Sequence, residues 1–104
     1  MSVYVISEFP MSGTGAQDFI QWAESDKGYA TSETHEGYEF IQTLLAEDDQ
    51  TIYLVERWVT KEDHQAYLEI KVKGGLMEFI KPRLIGDLKV TYFNELDILR
   101  NTHR

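Results

Sequence analysis

Residues 51–82, TIYLVERWVTKEDHQAYLEIKVKGGLMEFIKP, run from an apolar strand straight into a capped helix, and the fold follows from how this junction is built. Strand side chains change sides at every residue, so Ile52, Leu54, Glu56 and Trp58 share one face while Tyr53, Val55, Arg57 and Val59 share the other. Both faces are largely apolar. A sheet with helices on one side needs only one apolar face, so this strand predicts cover on its second face too, most economically from a second copy of the chain. Thr60 is placed to cap the following helix, with Glu62 and Asp63 near its positive end and Ala66, Tyr67 and Ile70 as its expected buried stripe. Lys73-Gly74-Gly75 breaks that helix, and Leu76, Phe79 and Ile80 resume a helical spacing up to Pro82.

Working outward, residues 38–45 form a strand joined to residues 51–59 by the polar loop Glu47-Asp48-Asp49-Gln50, which suits an antiparallel hairpin. Residues 3–9 alternate and are rich in β-branched and aromatic side chains, and Pro10 ends that first strand by removing a donor. Thr14 and Gln17 then stand as a capping box before the helical stripe Phe19, Ile20, Trp22 and Ala23. Asp26-Lys27-Gly28 either stops this helix or is carried within it as far as Gly37, a suitable C-terminal glycine, and the longer helix is expected. Residues 88–93 supply a last strand. The order is β-α-β-β-α-β, an α+β ferredoxin-like arrangement with an antiparallel four-stranded sheet and a second helical region in two pieces. It fills one domain, residues 1–104, in which 95–104 is a tail whose Leu96, Ile98 and Leu99 ask for cover, for instance at a dimer interface.

Composition narrows the functional classes. A 104-residue chain buries roughly two thirds of its unfolded surface and folds without disulfides. It has no cysteine, hence no thiolate metal site and no thiol nucleophile, which fits a reducing, cytoplasmic setting. Eighteen acidic against ten basic residues give a net charge of -8, a field that repels phosphate backbones and anionic headgroups, so neither nucleic acid nor membrane is an expected partner. No basic flank with an apolar run opens the chain and no long apolar span crosses it. His35, His64 and His103 show no i, i+4 pairing, so no metal is predicted. Gly13-Thr14-Gly15 lacks the third glycine of a dinucleotide fingerprint, and no P-loop or Gly-x-Ser-x-Gly elbow occurs.

A pocket is expected between the Trp58 face of the third strand and the Tyr67 face of the helix after it. Two aromatic donors on opposite walls of an apolar cleft suit a flat ring bearing an oxygen. Glu56 shares the strand face of Trp58, and burial would raise its pKa and make it a base. Each of the three also has a plain reading: Trp58 and Tyr67 as core, and Glu56 as half of an ion pair with Arg57, Arg83 or a charge across a dimer. His64, in the first helical turn, is expected to face solvent. His35 ahead of the second strand is an alternative base or ligand contact, or a loop histidine, and Trp22 is either core or part of the pocket lining.

The chain resembles the antibiotic-biosynthesis-monooxygenase-like domains of the dimeric α+β barrel superfamily. The likeness is carried by His35-Glu36-Gly37-Tyr38, by Leu54-Val55-Glu56-Arg57-Trp58, by the helix start from Thr60 to Leu68, and by the run from Gly75 to Pro82 before the final strand. It implies a homodimer packed sheet on sheet, with a pocket between helices and sheet in each subunit for a small aromatic or apolar ligand. It further implies oxidation with no metal, flavin or haem: a phenol, hydroquinone or anthrone loses a proton, and the anion itself reduces oxygen. On this likeness Glu56, Trp58 and Tyr67 are the catalytic candidates, and Trp58, Tyr67, Trp22 and His35 the substrate contacts. Haem-degrading members use a strand-one asparagine, a strand-three tryptophan and a following histidine, of which only Trp58 matches. The helix histidine of quinol-oxidising members has Tyr67 in its place. A non-catalytic dimeric module that binds a ligand in the same pocket is the alternative.

Overall fold

The computed structural model describes residues 2–25, 32–96 and 98. Four strands, β1 (Val3–Pro10), β2 (Tyr38–Leu45), β3 (Thr51–Trp58) and β4 (Lys89–Asn94), form one sheet in the order β2-β3-β1-β4, with β1 and β3 central. Each neighbouring pair is antiparallel, and β1 registers Val5 against Glu56 and Ser7 against Leu54 on one side, and against Tyr92 and Val90 on the other. Helix α1 (Gly15–Ala23) follows β1, and α2 (Lys61–Lys73) and α3 (Leu76–Ile80) follow β3. The ferredoxin-like order expected from the sequence is therefore present.

The strand alternation is visible as burial. Val3, Val5, Ser7 and Phe9 of β1 and Ile52, Leu54, Glu56 and Trp58 of β3 are buried beneath the helices, while the intervening residues are half-buried on the outer face. Phe9, Met11, Phe19, Ile52, Leu54, Leu76 and Ile80 form the larger core cluster, and Val3, Val5, Trp58 and Tyr67 a second one at the other end of the sheet. Trp22 packs against the first of these, its ring 5.7 Å from Phe19 and stacked at 5.6 Å on Phe79.

Local signals behaved according to their chemistry. Thr60 caps α2, its hydroxyl accepting from the Asp63 amide at 3.0 Å, and Gly75 at φ +105° separates α2 from α3. Thr14, by contrast, makes no capping bond: its hydroxyl donates to the Asp18 carboxylate at 3.4 Å, and the capping box is not formed. The long first helix is also corrected. It ends at Ala23, where the Ser25 hydroxyl takes up the Trp22 carbonyl at 2.6 Å, and the chain before β2 is a 3₁₀ turn, Ser32–Thr34. Gly37 is not a helix terminator but adopts φ +81° in the turn into β2, where any Cβ would run into the Asp63 side chain. Asp26, Lys27 and Gly28 lie outside the described residues, as do Leu99 and His103.

Strand β2 carries an irregularity: Tyr38 pairs with Trp58 but Phe40 with Arg57, so Glu39 is the extra residue of a β-bulge. Tyr38 packs edge-on against Trp58 under the helices, and Phe40 packs against Tyr4 on the outer face.

Candidate functional site

Glu56 is the centre of the site. It is 3 % exposed, inside the second core cluster's end of the sheet, and neither cation proposed as its partner reaches it. Arg57 points to the outer face and pairs with Glu39 at 3.3 Å and Glu95 at 3.0 Å, while Arg83 pairs with Asp18 at 3.2 Å. The expected pairing with Arg57 or Arg83 is therefore corrected: Arg57, as the adjacent strand residue, faces the opposite way, and Arg83 is engaged by Asp18. The partner is the neighbour on the same face, since the Trp58 indole N–H donates to Glu56 Oε1 at 2.9 Å.

His64 is the second correction. Expected in solvent, it is 2 % exposed, with Nε2 3.6 Å from Glu56 Oε1 and Nδ1 hydrogen-bonded to the Tyr92 hydroxyl at 2.8 Å. The buried stripe of α2 is formed by His64 and Tyr67 with Leu68 and Lys71 beside them; Ala66 and Ile70 are exposed. The signal was available. With Thr60 fixed as N-cap, His64 precedes Tyr67 by three residues and must share its face. Tyr92 carried a weaker signal, its alternation with Val90 on a strand mostly open to solvent.

Burial sets the electrostatics. Loss of hydration pushes the Glu56 carboxyl up to about 7, against a smaller opposing effect of the Trp58 hydrogen bond. The same desolvation pulls His64 down to about 4. Each group therefore resists its charged form, and near neutrality His64 is uncharged while Glu56 exchanges its proton. Tyr67 is raised well above the usual phenol range, first by burial and against its hydrogen bond with Ser32, whose Oγ lies 2.9 Å from the phenol oxygen.

Glu56, His64 and Tyr67 line one cavity of about 90 Å³, between the helix-side face of the sheet and α2–α3. Apart from them and Ser7 and Lys71 its walls are apolar, including Phe9, Leu54, Leu68, Leu76 and Val90. The pocket lies beside Tyr67 rather than between Tyr67 and Trp58. Trp58 is 0 % exposed and its ring contacts Tyr67 at 4.9 Å, Tyr38 at 5.8 Å and His64 at 5.7 Å, so no face is open for stacking and its N–H is committed to Glu56. His35 lies edge-on to Tyr67, 4.9 Å between ring centres, and borders a separate shallow concavity with Glu36 and Asp63. Trp22 belongs to the larger core cluster and does not line the cavity. Among the described residues no group of three or more His, Asp or Glu side chains is placed to hold a metal ion, and no helix is long and apolar enough to cross a membrane.

No family model matches the sequence, and no curated protein matches it. Solved structures do. A provisional antibiotic biosynthesis monooxygenase from Nitrosomonas europaea superposes with a TM-score of 0.77 at 16 % identity, over 92 % of this chain and 91 % of that one. The chain has the antibiotic-biosynthesis-monooxygenase-like fold. A monooxygenase from the gene ActVA-Orf6 of Streptomyces coelicolor, solved with nanaomycin D, matches at a TM-score of 0.73 and 13 % identity over 94 % of this chain and 90 % of that one. SnoaB from Streptomyces nogalater, a cofactor-independent oxygenase, matches at 0.69 and 12 % over 95 % and 97 %. At such identities the likeness is one of fold, and the chemistry must come from the residues present.

Proposed function

We propose that this chain is a cofactor-independent monooxygenase of small hydroxyarenes that works as a homodimer in the cytoplasm. The observation that carries the reading is Glu56: a buried carboxyl with a pKa near 7, oriented by the Trp58 N–H, beside a neutral imidazole, at the wall of a mostly apolar cavity. A general base works best when its pKa lies near the operating pH. Glu56 takes the proton of the bound phenol. The phenolate then gives one electron to dioxygen, the two radicals join as a carbon–oxygen bond, and the hydroperoxide loses water to leave a carbonyl on the ring. His64, by contact with the carboxyl, favours the orientation in which Glu56 accepts. Tyr67, tied to Ser32, contributes shape and a fixed hydroxyl dipole. The ActVA-Orf6 and SnoaB oxygenases of the same fold are consistent with this chemistry.

The dimer is supported by the outer sheet face. Tyr4, Ile6, Tyr53 and Val55 are half-buried there, Leu44 and Phe93 are 43 % and 44 % exposed, and no described helix covers them. Packing two such faces together buries the row on both copies.

Oxygen uptake with phenols, hydroquinones and anthrones, measured on protein freed of metal and flavin, tests the activity. Uptake that rises through about pH 7 and is lost in Glu56→Gln is expected. Ligand binding without any uptake would instead favour a non-catalytic binding module.

A further inference from the structure

We infer that the proton of Glu56 exchanges with solvent through His64 and Tyr92, a relay that opens away from the cavity and resets the buried carboxyl while a ligand fills it. For its use in turnover this rests on reading Glu56 as the base, and it adds Tyr92 as a residue that acts through His64. The sheet register sets the distance to be covered. Glu56 and Tyr92 both register against Val5, one from β3 and the other from β4, so they stand on the helix-side face two strand spacings apart, about 10 Å. That span is too long for direct proton transfer. His64, in the first turn of α2, lies across it, with Nδ1 2.8 Å from the Tyr92 hydroxyl and Nε2 3.6 Å from Glu56 Oε1. A small swing of either side chain closes the longer contact, as such contacts tighten when a site is occupied.

The other polar groups against this end of the site do not pass a proton on. The Trp58 indole nitrogen donates to Glu56 and has no lone pair with which to accept, and Tyr67 is tied to Ser32 and raised above the usual phenol range by burial. A neutral imidazole has one nitrogen of each kind. With Glu56 protonated, its O–H faces a bare Nε2 while Nδ1–H donates to the Tyr92 oxygen. In one concerted step the Glu56 O–H breaks as Nε2–H forms, Nδ1–H breaks as a new O–H forms on Tyr92, and the original Tyr92 proton passes to water. What remains is a carboxylate accepting from Nε2–H and a Tyr92 hydroxyl donating to a bare Nδ1. The reverse sequence reloads Glu56 and restores the first tautomer, so each charge state of the carboxyl has a tautomer of His64 that fits it. The ring never holds both protons, and the desolvation that pulls His64 down to about 4 leaves the path open.

Tyr92 is where the relay meets solvent. It is half-buried on β4 and lines a concavity of about 430 Å³ with Ser2, Thr60, Lys61, Glu62 and Asn94, which shares no lining residue with the apolar cavity. The Lys61 ammonium lies 4.7 Å from its ring centre and Gln65 hydrogen-bonds its hydroxyl, both of which favour release of the phenol proton, and Glu62 offers a carboxylate in the same concavity. A ligand in the apolar cavity excludes water from that side of Glu56 and leaves this exit clear.

Relaxation of the Glu56 proton after a laser-induced pH jump near 7, followed in ligand-free protein by the infrared carbonyl band that Glu56→Gln removes, tests the relay. Tyr92→Phe keeps the ring and takes away the hydroxyl; it should slow the relaxation roughly ten- to a hundredfold and leave the titration midpoint in place. His64→Gln, whose amide hydrogen-bonds at both ends but carries no proton along its length, should slow it as much and serves where Tyr92→Phe fails to fold. A residue that merely supports the fold would move the midpoint or the unfolding temperature and not the rate. Slowing of less than about tenfold in the folded variant would show that the proton enters through the cavity, and would overturn the proposal. The oxygenase reading fails separately: oxygen uptake is absent from the intact protein while its relaxation still outpaces that of Tyr92→Phe.

Discussion

At the scale of single residues, Glu56 and His64 are displaced in opposite directions by one cause, and their effects on stability oppose each other. Glu56 is raised from 4.5 to about 7, so the native state holds its proton more tightly; its stabilising contribution is complete below 4.5 and drains as pH rises through 7. His64 is lowered from 6.5 to about 4, so its contribution is complete above 6.5 and drains as pH falls through 4. Each amounts to about 3 kcal/mol at most. Between roughly 4.5 and 6.5 the two slopes cancel, and denaturant unfolding of the wild-type protein should be nearly flat with pH. Glu56→Gln should expose the histidine alone, with stability climbing over that interval; a wild-type curve already climbing steeply there would contradict the assignment. Trp58 offers a separate check. With Trp22→Phe leaving it as the lone indole, its emission should titrate near pH 7 and stop doing so in Glu56→Gln. Of these residues Glu56 was readable from strand parity, whereas the burial of His64 needed the helix phase that Thr60 sets, and its contact with Tyr92 joins segments that sequence spacing does not relate.

At the scale of elements, strands were more legible than helices. The alternation of β1 and β3 is a local property of the chain and reappears as burial, residue by residue. Helix α1 was misjudged in length because glycine and polar residues punctuate without deciding, and the decision falls to what the chain meets next. Gly37 shows this. Its value is not as a helix end but as the point where the turn into β2 crosses the first turn of α2, with its carbonyl accepting from the Val59 amide at 2.8 Å. Gly37→Ala should destabilise by at least about 1 kcal/mol, from the positive φ alone, with the collision at Asp63 added. Thermal unfolding of that variant, with Gly13→Ala as a control, separates the two contributions. Gly13 also has positive φ but open space around it, so the control should lose less.

At the scale of the whole molecule, the outer sheet face and the cavity impose separate demands on the same strands. Val55→Asp, on the outer face of a central strand, should shift sedimentation from dimer to monomer and leave ligand binding in the isolated subunit measurable, since the cavity lies on the other side of the sheet. A wild-type protein that sediments as a monomer at micromolar concentration would remove the dimer. The apolar outer face was legible in the alternation of residues 51–59 and reappears in the half-buried Tyr53 and Val55; the second copy expected to cover it is what this sedimentation measurement tests.

The bulge at Glu39 lets β2 serve both sides of the sheet. Tyr38 and Phe40 are two positions apart and would share a face in a regular strand, yet one steadies Trp58 beneath the helices and the other meets Tyr4 outside. Insertion and deletion are therefore not equivalent to substitution here. Exchanging Glu39 for another residue costs a surface ion pair with Arg57, whereas deleting it restores strict parity and forces a choice between the aromatic wall behind Glu56 and the aromatic surface opposite. Among natural variants of this sheet, chain length between Gly37 and Ile41 should be held constant more strictly than the identity of any residue in it.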